Sequence, residues 1–103
     1  MTCEVEWSAT AREHVLAITE YLARTSPVYA ERFVDRVLGR IDQLALFPES
    51  GRVVPEARDP SIRELLEGSY RILYFVRPGR IDILAVLHVR QQLAWSSEKP
   101  NAG

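Results

Sequence analysis

The chain has 103 residues, of which 47% are hydrophobic and 26% charged, with a formal net charge of −1. That length accommodates one small core, and the mix excludes a disordered chain. One cysteine, Cys3, excludes an internal disulfide framework, and the near-zero charge weighs against strong non-specific nucleic-acid binding.

Cys3-Glu4-Val5-Glu6-Trp7 alternates apolar and acidic residues, the pattern of a strand with one buried face. A helix is expected to begin near Ser8 to Thr10, where Thr10 and Glu13 have capping-box spacing. Its apolar stripe is Ala11, Val15, Ile18 and Leu22. Arg24-Thr25-Ser26-Pro27 breaks that helix, and Ser26 and Pro27 suit the cap and first turn of a second. Ala30, Val34, Val37, Ile41 and Leu44 form the second stripe, and Pro48 ends it after Phe47. Two such helices on a short linker predict an antiparallel hairpin.

Pro48 to Pro60 holds three prolines and one glycine and predicts a loop without regular structure. Three strands are then expected: Ile62–Leu66, Tyr70–Val76 and Ile81–Val89, joined at Gly68-Ser69 and at Arg77-Pro78-Gly79-Arg80. Simple alternation puts Ile81, Ile83, Ala85, Leu87 and Val89 on one face of the last strand. Leu84 and Val86 make its middle apolar on both faces, as a central strand requires. The tail 96–103 is polar and expected to be disordered. The fold class is therefore α+β: an N-terminal strand, a helical hairpin and a small antiparallel sheet it covers, in the order β-α-α-β-β-β. Residues 1–95 form a single domain. No uninterrupted apolar run approaches the ~20 residues of a membrane span, and no secretion signal is expected, so a cytoplasmic setting is.

The charge is unevenly spread: residues 52–90 hold seven arginines against five acids, and the only lysine is Lys99. Arginine's planar fork suits bidentate contact with carboxylates and phosphates, so Arg63, Arg71 and Arg90 are candidates for a partner surface. Trp95, alone in a polar segment, joins them as an interface anchor or packs back on the domain. His14, in mid-helix, is expected to be exposed, and Cys3 to be a buried strand residue. Tyr70 and Tyr74 share strand parity and are expected to pack on one face. No cluster has metal-ligand spacing and no glycine-rich phosphate loop is present, so no metal or cofactor is expected.

The element order and several landmarks resemble the RelE/ParE superfamily of type II toxin–antitoxin toxins. They are Trp7-Ser8 with Ala11, Tyr21, Pro27, Ala30, Phe33, Leu44, Phe47-Pro48 and Gly51-Arg52. Arg63-Glu64-Leu65, Gly68-Ser69-Tyr70-Arg71-Ile72-Leu73-Tyr74 and Ile83 to Arg90 complete the set. The resemblance implies a toxin that causes growth arrest until a cognate antitoxin wraps it. It also implies one of two activities. ParE-like members resemble inhibitors of DNA gyrase that act by binding. RelE-like members resemble ribosome-dependent mRNA endonucleases.

The nuclease branch needs a group to take the 2′-OH proton, one to protonate the leaving oxygen, and cations for the phosphorane charge. His88 with Arg63, Arg71 and Arg90 are the candidates, with Glu49 or Glu64 as the carboxylate. RelE-like nucleases typically bring a lysine-bearing loop and a tyrosine near the C-terminus. This chain has no lysine before Lys99 and no tyrosine after Tyr74. The expectation is thus a ParE-like gyrase inhibitor with no catalytic residue of its own. The alternative is an mRNA interferase using His88, Arg63, Arg71 and Arg90.

Overall fold

A computed structural model describes residues 2–91. Trp95 and the segment 96–103 lie outside the described residues. The elements are β1 (Glu4–Trp7), α1 (Ala9–Thr25), α2 (Pro27–Leu46), β2 (Arg52–Val53), β3 (Ile62–Glu67), β4 (Tyr70–Arg77) and β5 (Arg80–His88). The α+β class and the helical hairpin over a sheet are as expected. The sheet, however, is mixed and not wholly antiparallel. Its five strands run β1-β5-β4-β3-β2, with β1 parallel to β5 and the other pairs antiparallel.

The junction of β1 and α1 fixes that parallel pairing. The Ser8 backbone N–H donates to the Ile83 carbonyl at 3.0 Å, and its hydroxyl donates to the Leu84 carbonyl at 3.1 Å. The same hydroxyl oxygen accepts the Ala11 N–H at 2.9 Å. Ser8, held extended against β5, is therefore the N-cap. Thr10 lies inside the helix, contrary to the capping-box reading. Ser26 ends α1 by donating its N–H to the Leu22 carbonyl and opens α2 by accepting the Tyr29 N–H at 3.3 Å. Pro27 takes the first position of α2, where an N–H is not needed.

The loop Pro48–Pro60 is more ordered than its prolines suggest. Val53 pairs with Arg63 and Arg52 with Glu64 as β2, and Pro55–Ala57 forms a short 3₁₀ turn. The reason is burial: Val54 and Ala57 are pressed onto the sheet with Leu73 and Ala85. Arg58 ends the turn at φ 54, a left-handed conformation uncommon for a non-glycine residue.

The main core lies between the hairpin and one face of the sheet. Ala11, Phe33, Val37, Ile41 and Leu44 meet Leu65, Ile72, Tyr74, Ile81, Ile83 and Val86. Burying each large member contributes about 1.5–3 kcal/mol. The opposite face carries the smaller cluster under the 3₁₀ turn.

A bulge in β5 corrects the expected alternation. Leu73 pairs with Ala85 and Tyr74 with Ile83, leaving Leu84 without a partner. Before the bulge Ile81 and Ile83 face the helices; after it Val86 does, while Ala85 and Leu87 turn to the open face. α1 serves the groups this frees. The Leu84 carbonyl accepts from Ser8, and the Val86 N–H donates to His14 Nδ1 at 3.1 Å. His14 is consequently half-buried and faces the sheet, not exposed.

Tyr74 is fully buried, and its hydroxyl oxygen accepts the Gly51 N–H at 2.9 Å. Burial pushes its pKa up, against the Gly51 hydrogen bond and the Arg63 charge. A Cβ on Gly51 would come within 2.5 Å of both the Tyr74 hydroxyl and the Glu64 carbonyl.

Gly51→Ala is expected to lower stability by about 2–3 kcal/mol, because a backbone atom and a buried ring both resist the displacement. A denaturant midpoint indistinguishable from wild type would contradict this packing. His14→Ala is expected to cost about 1–2 kcal/mol by orphaning the Val86 N–H. Hydrogen exchange at Val86 should then accelerate more than at Ile72; equal acceleration would place the loss elsewhere.

Candidate functional site

The open face of the sheet carries a charged network. Glu64 on β3, with a fully buried side chain, accepts from Arg71 Nε at 2.6 Å and from Arg52 Nε at 2.6 Å. Arg71 on β4 extends Nη2 to both Glu56 oxygens at 3.3 Å. Two-residue periodicity explains the grouping. Glu64 pairs in register with Leu73 and with Arg52, and Arg71 with Leu66 and Leu87, so these residues share the open face. The 3₁₀ turn that buries Val54 and Ala57 brings Glu56 over Arg71.

The charges reinforce each other. Desolvation penalises the Arg71 cation, but hydrogen bonds and charge from Glu64 and Glu56 outweigh it and raise its pKa. Desolvation also pushes Glu56 up. Its own backbone hydrogen bond, the Arg71 contact and the Arg52 charge prevail, so its pKa lies below the ordinary value.

The residues singled out from the sequence do not meet at one place. Arg71 lies on the open face, committed to Glu64 and Glu56. Arg63 is on the helix-facing parity of β3, opposite Tyr74, and donates Nη1 to the Gly51 carbonyl at 2.7 Å and the Glu49 carbonyl at 3.3 Å. His88 pairs with Tyr70 at the other end of the sheet. Its ring meets the Tyr70 ring edge-on at 5.4 Å, and Tyr70 meets Phe33 of α2 at 5.0 Å. His88 therefore stands on the helix side. Its Nδ1 accepts the Arg90 N–H at 3.1 Å, and Arg90 is exposed in the turn after β5. The pairing of Arg71 with Glu64 was open to sequence reasoning; the parts of Arg52 and Glu56 were missed, since neither lies in a recognisable strand pattern. Cys3 precedes β1 and is half-buried with a free thiol, not the buried strand residue expected. Among the described residues no group of three or more His, Cys, Asp or Glu could hold a metal. No helix among them is long and apolar enough to cross a membrane.

Two other arginines of the open face are likewise held internally. Asp82 accepts from Arg77 Nε at 2.7 Å and from Arg80 Nε at 2.8 Å.

A family model described as the ParE toxin of the type II toxin–antitoxin system parDE matches residues 5–93. The chain is 33% identical over 86 residues to a protein named Toxin RelE2 from Caulobacter vibrioides, covering 82% of this chain and 93% of that one. It is 37% identical over 65 residues to a protein named Toxin ParE1 from Mycobacterium tuberculosis, covering 62% and 65%. In fold it resembles a chain of a chromosomal ParDE toxin–antitoxin system from P. aeruginosa, with TM-score 0.68 and 22% identity over 84% of this chain and 96% of that one. It also resembles a chain of the RelBE2 toxin–antitoxin complex from Mycobacterium tuberculosis, with TM-score 0.56 and 21% identity over 85% and 99%.

Arg71→Ala is expected to cost about 3 kcal/mol or more, because Glu64 loses its buried partner. The double variant Arg71→Met with Glu64→Leu should cost much less, since no buried charge is left alone; equal losses would refute this account. The folded-state pKa of Glu56 lies below its ordinary 4.5, so its contribution is complete above that pH and lost as pH falls through the folded value. Glu56→Gln should flatten the acid limb of stability against pH, and an unchanged limb would show the carboxylate idle.

Proposed function

The chain belongs to the ParE toxin family of type II toxin–antitoxin systems, within the RelE/ParE superfamily, and from that premise we propose that it arrests growth by binding DNA gyrase. It breaks no bond itself. It works in the cytoplasm, stalls gyrase on cleaved DNA, and is neutralised by a cognate antitoxin protein.

The observation that supports this reading best is the separation of the candidate catalytic groups. His88 faces the helices and Arg71 the open face, while Arg63 is spent on backbone carbonyls. A phosphoryl-transfer site needs a proton donor, an acceptor and free cations converging on one phosphate. Arg71 has carboxylate partners on both Nε and Nη2. A binding mechanism makes no such demand.

A second reading, a ribosome-dependent mRNA interferase, has two points in its favour. A relative carries the RelE name, and His88 is half-exposed at the end of β5. The two readings part cleanly in the test. Purified toxin incubated with gyrase and supercoiled plasmid is expected to inhibit supercoiling and trap cleaved DNA at micromolar levels. No inhibition, together with reporter mRNA cut within codons on translating ribosomes, would replace the gyrase reading with the nuclease one.

A further inference from the structure

α2 sorts its charges in an uneconomical way. Arg32, Arg36 and Arg40 follow one another at i, i+4 and i+8, and Glu31 and Asp35 are likewise four apart. Each like-charged pair at this spacing weakens a helix, whereas alternating signs would strengthen it. The arginine row looks onto the sheet end of the hairpin. Arg40 is used there: it donates Nη2 to the Leu66 carbonyl at 3.1 Å and stands 3.7 Å from a Glu67 oxygen. Arg32 and Arg36 have no carboxylate within salt-bridge distance among the described residues. Arg52, Arg71, Arg77 and Arg80 on the open face, by contrast, are each held by an internal acid.

Arg32 and Arg36 rim a groove of about 310 Å³ between α2 and the β3–β4 turn. Its apolar wall is Leu22, Tyr29, Phe33 and Tyr70, with the Phe33 and Tyr70 rings meeting edge to face. Tyr29 keeps 58% of its surface exposed. The groove thus joins a partly uncovered aromatic wall to two unpartnered guanidinium groups one helical turn apart.

We propose that this groove seats an acidic segment of the antitoxin, with an apolar side chain between the tyrosines and carboxylates on Arg32 and Arg36. The inference rests on the toxin–antitoxin part of the proposed function and not on the gyrase part. Charge complementarity selects the occupant. Two guanidiniums about 6 Å apart along the helix axis match two carboxylates at helical spacing. A nucleic acid is disfavoured, because Glu67 lies in the groove and Glu31 and Asp35 flank it on the same helix. Phosphate backbones avoid such mixed rims, whereas a peptide can place its few acids selectively.

The test uses the full-length toxin and, as probe, the cognate antitoxin obtained with it as a copurified complex. Arg32→Glu with Arg36→Glu is expected to weaken antitoxin binding about 100-fold, at about tenfold per lost charge-assisted contact. The thermal midpoint should change little: a like-charged pair four apart at 32 and 36 remains, position 36 gains attraction to Arg40, and position 32 loses its attraction to Asp35 three residues on. Growth arrest by the variant expressed alone should persist. Arg12→Glu with Arg24→Glu on α1 changes net charge equally and should leave affinity intact. Unchanged affinity in the α2 variant overturns the proposal, as does an equal loss in the α1 control. Lost toxicity with antitoxin binding intact also overturns it, assigning the groove to the target instead. A wild-type toxin that forms no complex removes the premise, whereas failure to inhibit gyrase leaves this inference standing.

Discussion

The geometry of the molecule turns on one residue that has no partner in the sheet. Leu84 is extra in β5, and its presence reverses which side chains face the helices beyond it. The reversal is stable because α1 answers the backbone groups it disturbs: Ser8 supplies a donor to Leu84 and His14 an acceptor to Val86. Without those two contacts the bulge would leave a part-buried carbonyl and a part-buried N–H unsatisfied, at up to about 1–3 kcal/mol each. The same clamp aligns β1 beside β5 and sets where α1 begins. One local irregularity thereby couples the N-terminal strand, the first helix and the central strand. It also decides that His88 stands over Tyr70 on the helix side. Uninterrupted alternation would have turned His88 toward the face that carries Arg71.

Charge is distributed on a similar logic. On the open face Arg52, Arg71, Arg77 and Arg80 are each matched by an acid, which for Arg80 lies two residues on along its own strand and for the others comes from a neighbouring strand or the 3₁₀ turn. Glu64 serves two of them and Asp82 the other two. Such pairs hold strands in register and give β3 and β4 a specific side-by-side alignment. The exposed members are worth little individually, while the Glu64–Arg71 pair is buried and costly to separate. On α2 the matching stops. The positive row there is left without internal partners on the side nearest the aromatic groove, and the negative row is placed on the other flank.

Much of the architecture was legible from residue patterns. The stripes Ala11-Val15-Ile18-Leu22 and Val34-Val37-Ile41-Leu44 identify two helices, and Ser26-Pro27 marks their join. The turns at Gly68 and Gly79 do adopt positive φ, which glycine accepts without strain. What was not legible has definite causes. The bulge is silent because Leu84 and Val86 are both apolar, so alternation reads smoothly through it. The loop Pro48–Pro60 hides β2 and its turn, since their order comes from burial of Val54 and Ala57 against strands far along the chain. His14 reads as a surface residue because helical periodicity places it beside Val15 and Ile18 without revealing a backbone N–H waiting on β5. The candidate site fared less well than the fold. Sequence proximity grouped Arg63, Arg71 and His88, but strand parity and the bulge distribute them over two faces. The row of arginines on α2 was visible as spacing, yet its meaning depends on which carboxylates the fold brings near.

The Arg71 network also bears on what the open face can do. To aim Nε and Nη2 at a phosphorane and stabilise it, Arg71 would have to leave Glu64 and Glu56. For an oxyanion-type donor that stabilisation is about 3–4 kcal/mol. Breaking a buried ion pair by withdrawing one partner costs about 3–5 kcal/mol. The two terms nearly cancel, so Arg71 gains nothing by exchanging Glu64 and Glu56 for a substrate phosphate. A macromolecular partner faces no such exchange. It can accept the network as a finished, nearly neutral surface and pack apolar groups around Leu66, which stays half-exposed beside it. The resting network is thus costly to open, which is consistent with the binding reading proposed above.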